Sequence, residues 1–272
     1  MGQAKRRSRS RSEILAGEKR CIYCAAQPHQ LEHMPPRAMF RNKNRPSGLE
    51  FATCAACNNG TSAADLVASF FARLGPDSSP TDWRMRDIDK WKTAIELKAP
   101  GVMKELMRPN KNRTTYSRTP LGTWKPIVEI KADGPLLKGY LTIFCAKMGM
   151  ALYREHVGSP IPMDGAVFVR WFLGGTLSQI SANKIMNVLP SSETLKQGKV
   201  HVGDQFIYRF NSDERSIVAA LIQFHSGLYV LTIATSEPQK YLHTQILGPT
   251  DALLHPGKLQ ENMPAKGEPY WL

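Results

Sequence analysis

Four cysteines, a histidine, a glutamate and an asparagine near the N-terminus are the residue types in this 272-residue chain best spaced to do chemistry. Cys21-Ile22-Tyr23-Cys24 and Cys54-Ala55-Ala56-Cys57 form two Cys-x-x-Cys knuckles, each setting two sulfurs on one tight turn. That spacing suits a tetrahedral Zn²⁺ site of the closed, structural kind, in which four thiolates leave no position for a substrate. Between the knuckles stands Glu32-His33-Met34-Pro35-Pro36, and the second knuckle runs directly into Asn58. An imidazole with an ordinary pKa near ~6.5 accepts a proton from water at neutral pH. A carboxylate with a carboxamide oxygen makes the sparse, hard donor set on which Mg²⁺ or Mn²⁺ keeps several waters. On an extended strand Glu32 and His33 point to opposite sides, so acid and base would flank a bound phosphate. Asn58 also suits a helix N-cap.

The succession Cys-x-x-Cys, Glu-His-x-x-Pro, Cys-x-x-Cys-Asn resembles the HNH endonucleases of the ββα-metal class, in the branch stapled by a four-cysteine zinc site, over residues 20–66. The resemblance implies His33 as general base, Glu32 and Asn58 as ligands of a catalytic Mg²⁺ or Mn²⁺, and structural Zn²⁺ on Cys21, Cys24, Cys54 and Cys57. It implies hydrolysis of a phosphodiester that leaves a 5′-phosphate and a 3′-hydroxyl. Two positions depart from the family. Asp is commoner than Glu where Glu32 stands, and Ser62 occupies a place that many members give to His. Thr61, Ser62, Asp65 or water would then complete the metal shell. Asp65 lies about 10 Å beyond Asn58 along a helix axis, which makes it a supporting residue. Arg37, Arg41, Lys43 and Arg45 form a basic loop placed to meet phosphates, or else a solvated one.

The bulk charge agrees with a polyanionic partner. The chain carries a formal +13, and residues 1–60 hold eleven Lys/Arg against four Asp/Glu. Such an excess favours a polyanion through counterion release, nucleic acid or an anionic membrane surface, and charge alone does not choose between them. The HNH resemblance implies nucleic acid, DNA ahead of RNA, and no membrane as partner. No run approaches the ~18 apolar residues of a membrane-spanning helix, and the basic N-terminus lacks the apolar stretch of a secretory signal. The expected home is the reducing cytoplasm, where paired cysteines point to metal. Cys145, in an apolar pattern, reads as an inert buried thiol, and His29 as a bystander to a complete four-sulfur site. Glu155-His156 repeats the acid-His pair without knuckles, and His201, His225, His243 and His255 lack ligand spacing.

The elements that must hold these groups give an α+β fold class. Residues 1–19 read as a basic flexible arm and 20–75 as the zinc-stapled ββα module, closing on a helix with Ala64, Val67, Ala68, Phe71 and Leu74 on one side. Residues 76–120 read as a helical connector, with Trp83, Ile88, Trp91, Ile95 and Leu97 as its stripe. Residues 121–272 read as a C-terminal α+β domain. Leu137, Tyr140, Leu141, Phe144, Met148 and Leu152 predict an amphipathic helix packed on a sheet. Strands are expected at 166–172, 205–210, 217–224 and 228–234, with Trp124, Trp171 and Phe172 in the core. Two other functional classes stay open: a catalytically silent zinc ribbon that binds nucleic acid, and an interaction protein braced by zinc.

Overall fold

The knuckles, the acid-His pair and the helix after them fold as two strands and a helix, with a long buried helix beneath. The computed structural model describes residues 10–75, 82–108, 112–118, 122–129, 131–174, 188–197, 200–242, 248 and 250–267. Helix α1 (Arg11–Ala16) opens on a capping box, in which the Ser10 hydroxyl takes the Glu13 N–H and the Glu13 carboxylate takes the Ser10 N–H. Its Ile14 is buried against the hairpin that follows. The expected arm is thus ordered from residue 10 onward, because one apolar side chain and a cap suffice to dock a short helix; residues 1–9 lie outside the described set.

Strands β1 (Gln30–His33) and β2 (Glu50–Thr53) pair antiparallel, with Glu32 opposite Phe51 and His33 opposite Glu50. Helices α2 (Ala55–Gly60) and α3 (Ser62–Arg73) complete the ββα unit. Helices α4 (Ile88–Lys98) and α5 (Val102–Leu106) follow; Ile88, Trp91 and Ile95 of the expected stripe pack on the core, but Leu97 is 70% exposed. The end of the expected helical connector is a strand instead: β3 (Arg113–Arg118) pairs with β4 (Trp124–Glu129), from the start of the expected C-terminal domain, as a two-stranded ribbon. Trp124, expected in the core, is 67% exposed there. Alternating apolar residues identify a strand but not whether anything covers it.

Helix α6 (Pro135–Val157) starts on Pro135, where proline's missing N–H costs nothing, and ends on Gly158 at φ +87°. It is not amphipathic. Side chains from Tyr140 through Tyr153 are buried on every side, because α3 covers one flank and the sheet the other. Gly149 lets helix and sheet meet, since a Cβ there would stand 2.6 Å from Val167 Cγ1.

The sheet comprises β5 (Ala166–Leu173), β6 (Ser191–Glu193), β9 (Phe206–Ser212), β10 (Ile217–Phe224), β11 (Leu228–Thr235) and β12 (Asp251–Leu254). Their order is β12-β5-β11-β10-β9-β6, antiparallel throughout. Strands β7 (Lys196–Gln197) and β8 (Val200–His201) make a small separate pair, and α7 (Pro238–Tyr241) follows β11. Trp171 joins the core as expected. One apolar core runs from Cys21 to Leu259, across the positions near 75 and 121 where the sequence suggests boundaries. Among the described residues no helix is long and apolar enough to cross a membrane.

Candidate metal and phosphate site

The four knuckle sulfurs lie within 4.8 Å of one another, and Cys24 Sγ is 3.6 Å from Cys54 Sγ. A Zn–S distance of ~2.3 Å sets a tetrahedral edge of about 3.8 Å, so the cluster has the size of a zinc site. Backbone N–H groups of Tyr23, Ala26 and Cys57 aim at the sulfurs of Cys21, Cys24 and Cys54, each at 3.4 Å, and so favour negative sulfur. The Cys21 thiol is pulled down to about 5 by the hydrogen bond from Cys57, while burial lifts Cys24 to about 11. These residues fit a structural Zn²⁺, which would hold the two knuckles and take no part in a reaction. The C-terminal segment closes over them: Gly257 donates its N–H to Tyr23 O at 2.7 Å, and Gln260 Nε2 stands 4.0 Å from Cys57 Sγ. His29 stays outside, its Nε2 accepting the Ala55 N–H at 3.3 Å.

Glu32 and His33 leave β1 on opposite faces. Glu32 turns inward, only 3% exposed, and its Oε1 lies 2.8 Å from the ammonium of Lys147 on α6. The same ammonium, wholly buried, bonds Asp65 Oδ1 and Oδ2 at 2.8 and 2.7 Å and sits 5.7 Å from the Tyr23 ring centre. Burial pushes the Glu32 carboxyl up to about 7 and raises Asp65 as well. Burial alone would strip Lys147 of its proton, but the two carboxylates overcome it and hold its pKa above the ordinary value. Lys147 went unread in the sequence, although a lone lysine in the apolar middle of a helix is the signal that marks it.

The donors expected for a catalytic divalent ion do not fit one in this arrangement. Glu32 Oε2 has no hydrogen-bond partner, yet it is as buried as Oε1 and belongs to a carboxylate already neutralised by a fixed ammonium. Mg²⁺ and Mn²⁺ need room for several waters. Asn58 lies within α2, which Cys54 caps, and it donates Nδ2 to Gln30 Oε1 at 2.9 Å. The N-cap reading of Asn58 is thereby corrected: the cap forms four residues earlier, where a sulfur takes the Cys57 N–H. The hydroxyls of Thr61 and Ser62 bond back to the carbonyls of Cys57 and Asn59.

His33 faces outward, a fifth of its side chain in solvent. Arg37 Nη2 donates to its Nε2 at 3.0 Å, and Glu50 Oε1 stands 3.6 Å from the same nitrogen. Partial burial, then the charges of Arg45 and Arg37, lower the imidazole to about 4, so it is neutral with its lone pair aimed at Arg37. No known protein family, curated protein or solved structure matches this chain. The geometry must therefore carry any reading alone.

Arg37 stands beside this imidazole, and Arg41 and Lys43, further along the same loop, are exposed with it as a basic rim. Arg45 is not part of it. Its side chain is 1% exposed and its guanidinium donates to the carbonyls of Met34, Pro35, Pro46, Gly48 and Leu49. It ties the β1–β2 loop instead of reaching for phosphate. Glu50 was also unread, because only the strand register places it opposite His33. The unit thus has two unlike faces: an inner one closed by an ion triad, and an outer one with a neutral base beside the exposed guanidinium of Arg37.

Proposed function

We propose that this chain is an HNH-type endonuclease that works at the outer face of its ββα unit, with His33 as general base on a nucleic-acid phosphodiester. The observation that carries the reading is the neutral imidazole at the end of β1, 3.0 Å from an exposed guanidinium, on a hairpin stapled by four sulfurs. Arg37 turns from the imidazole to the phosphate, neutralising charge as it builds on the equatorial oxygens. The freed Nε2 takes a proton from water, the new P–O bond forms, and the bond to the 3′ oxygen breaks. Solvent returns a proton to that oxygen, leaving a 5′-phosphate and a 3′-hydroxyl. No step here runs through a divalent cation. The version with Mg²⁺ or Mn²⁺ on Glu32 and Asn58 requires Glu32 to release Lys147.

The test is cleavage of plasmid, linear duplex, single-stranded and branched DNA and of RNA, in Mg²⁺, in Mn²⁺ and in EDTA. Nicking by wild type with at least a ~100-fold loss in His33→Ala supports the reading, since general-base contributions run about 10²–10⁴-fold. Equal cleavage by the two proteins overturns it. Activity that survives EDTA assigns the work to His33 and Arg37 without an ion.

The engagement of Glu32 by Lys147 favours a second reading, in which the unit and its basic rim grip nucleic acid without turnover. Salt-sensitive binding with no nicking in any metal is its signature.

A further inference from the structure

The β3–β4 ribbon carries the largest aromatic exposure of the described residues and belongs to neither the ββα unit nor the sheet. Register puts Arg118 directly opposite Trp124 and Tyr116 opposite Pro126. Directly opposed residues share a face, and positions two apart return to it, so Tyr116, Arg118, Trp124 and Pro126 form one surface. All four are exposed, Tyr116 by 65% and Trp124 by 67%. Cross-strand neighbours lie roughly 5 Å apart and same-strand ones about 7 Å. A two-stranded ribbon is barely stable alone in water, and one that shows two large rings on a single face is built to be covered.

We infer that this face is a stacking platform for single-stranded nucleic acid, with bases laid on Trp124 and Tyr116 and the backbone drawn to Arg118. Charge complementarity selects that occupant. The chain carries +13, and Arg118 stands on the same face, opposite Trp124 and two positions from Tyr116, with its Nε donating to Gly122 O at 3.3 Å, whereas no acidic side chain is described on this face. Rings with both charge and open faces suit bases freed from a duplex, because paired bases hide their faces in the helical stack. The ribbon inference rests on the nucleic-acid reading above but not on catalysis by His33. It would supply the grip on a strand that the small outer face of the ββα unit lacks.

The test uses the full chain in the His33→Ala background, so that no substrate is consumed, with fluorescently labelled 20-nucleotide single strands of DNA and RNA and the matching duplexes. Trp124→Ala and Tyr116→Ala should each weaken single-strand binding at least about fivefold, in line with the ~1–3 kcal/mol of a base–aromatic stack, while Trp124→Phe retains most of it. Arg118→Ala should lower the slope of log affinity against log salt by roughly one. Single-strand affinity unchanged in Trp124→Ala and Tyr116→Ala overturns the inference, and so does an equal loss on duplexes. A wild-type dimer that Trp124→Ala converts to monomer also overturns it, since a second copy would then be the cover. Ribbon-dependent binding without any cleavage by the wild-type chain would leave the platform standing and remove the nuclease. Cleavage with no role for the ribbon would do the reverse.

Discussion

His33 sits where burial and two arginines oppose a positive charge, and its behaviour should depart from that of an ordinary histidine. Its NMR titration should show a midpoint of about 4, and Arg37→Ala should move that midpoint upward because it removes one of the opposing charges. If His33 is the base, the acid limb of kcat/KM should follow the same midpoint, with activity flat from about pH 5 to 8. A limb near 6.5 in the wild type would show that the outer face does not hold the imidazole as described. The folding consequence has a definite sign. A base whose folded pKa is depressed must shed its proton to fold, so its contribution is complete above about 6.5 and lost as pH falls toward 4. The four-cysteine cluster was readable from the sequence, because residue type and knuckle spacing alone bring the sulfurs together. Arg45 was not. Its role depends on a loop where Gly48 and Leu49 take φ of +113° and +52°, so that the surrounding carbonyls converge on one guanidinium.

Between elements, the contact that matters most is the ammonium of Lys147, which joins β1 through Glu32 and α3 through Asp65 to α6. Replacing it with methionine keeps the volume but leaves two buried carboxylates without a partner, at a cost of about 3–5 kcal/mol. Urea denaturation of Lys147→Met should show that loss, and adding Glu32→Gln and Asp65→Asn should recover most of it. Recovery would identify the loss as uncompensated charge; a persistent deficit would point to packing around α6. Glu32 also sets a pH trend opposite to that of His33. Its folded pKa is raised from 4.5 to about 7, so it favours the folded state most below 4.5 and loses that contribution as pH rises through 7. The two slopes oppose each other in wild type, and Glu32→Gln should expose the His33 slope as a stability that rises with pH from about 4 to 6.5. Four of the six strands of the sheet, β5, β9, β10 and β11, were legible because β-branched and aromatic runs break at turn residues, whereas the short edge strands β6 and β12 were not. The face that Glu32 takes was legible too, as the side opposite His33, but what waits there was not: nothing local to residue 32 reports a lysine 115 positions away.

At the scale of the molecule, α6 makes the four-cysteine unit and the sheet one folding body. Its apolar surface is complete around the helix, so stripping either neighbour exposes hydrocarbon, and a pattern without a polar side cannot disclose that two layers meet on it. That is why the sequence suggests a boundary near 75 although the apolar core continues across it. The excised piece 10–75 would keep both knuckles but lose the cover over Val67, Ala68 and Phe71, and it would strand Glu32 and Asp65 without Lys147. With Zn²⁺ present it should therefore give a poorly dispersed NMR spectrum and no cooperative melt, while the full chain gives both dispersion and cooperativity. A well-dispersed, cooperative 10–75 would mean that the metal alone organises the unit and that α6 is only a neighbour. Chelating the metal that the four sulfurs would hold should act more locally in the full chain. Protection against hydrogen exchange should fall first around the knuckles and at Gly257, whose N–H closes on Tyr23, while the amides of β10 and β11, remote from the sulfurs and paired on both sides, should keep theirs.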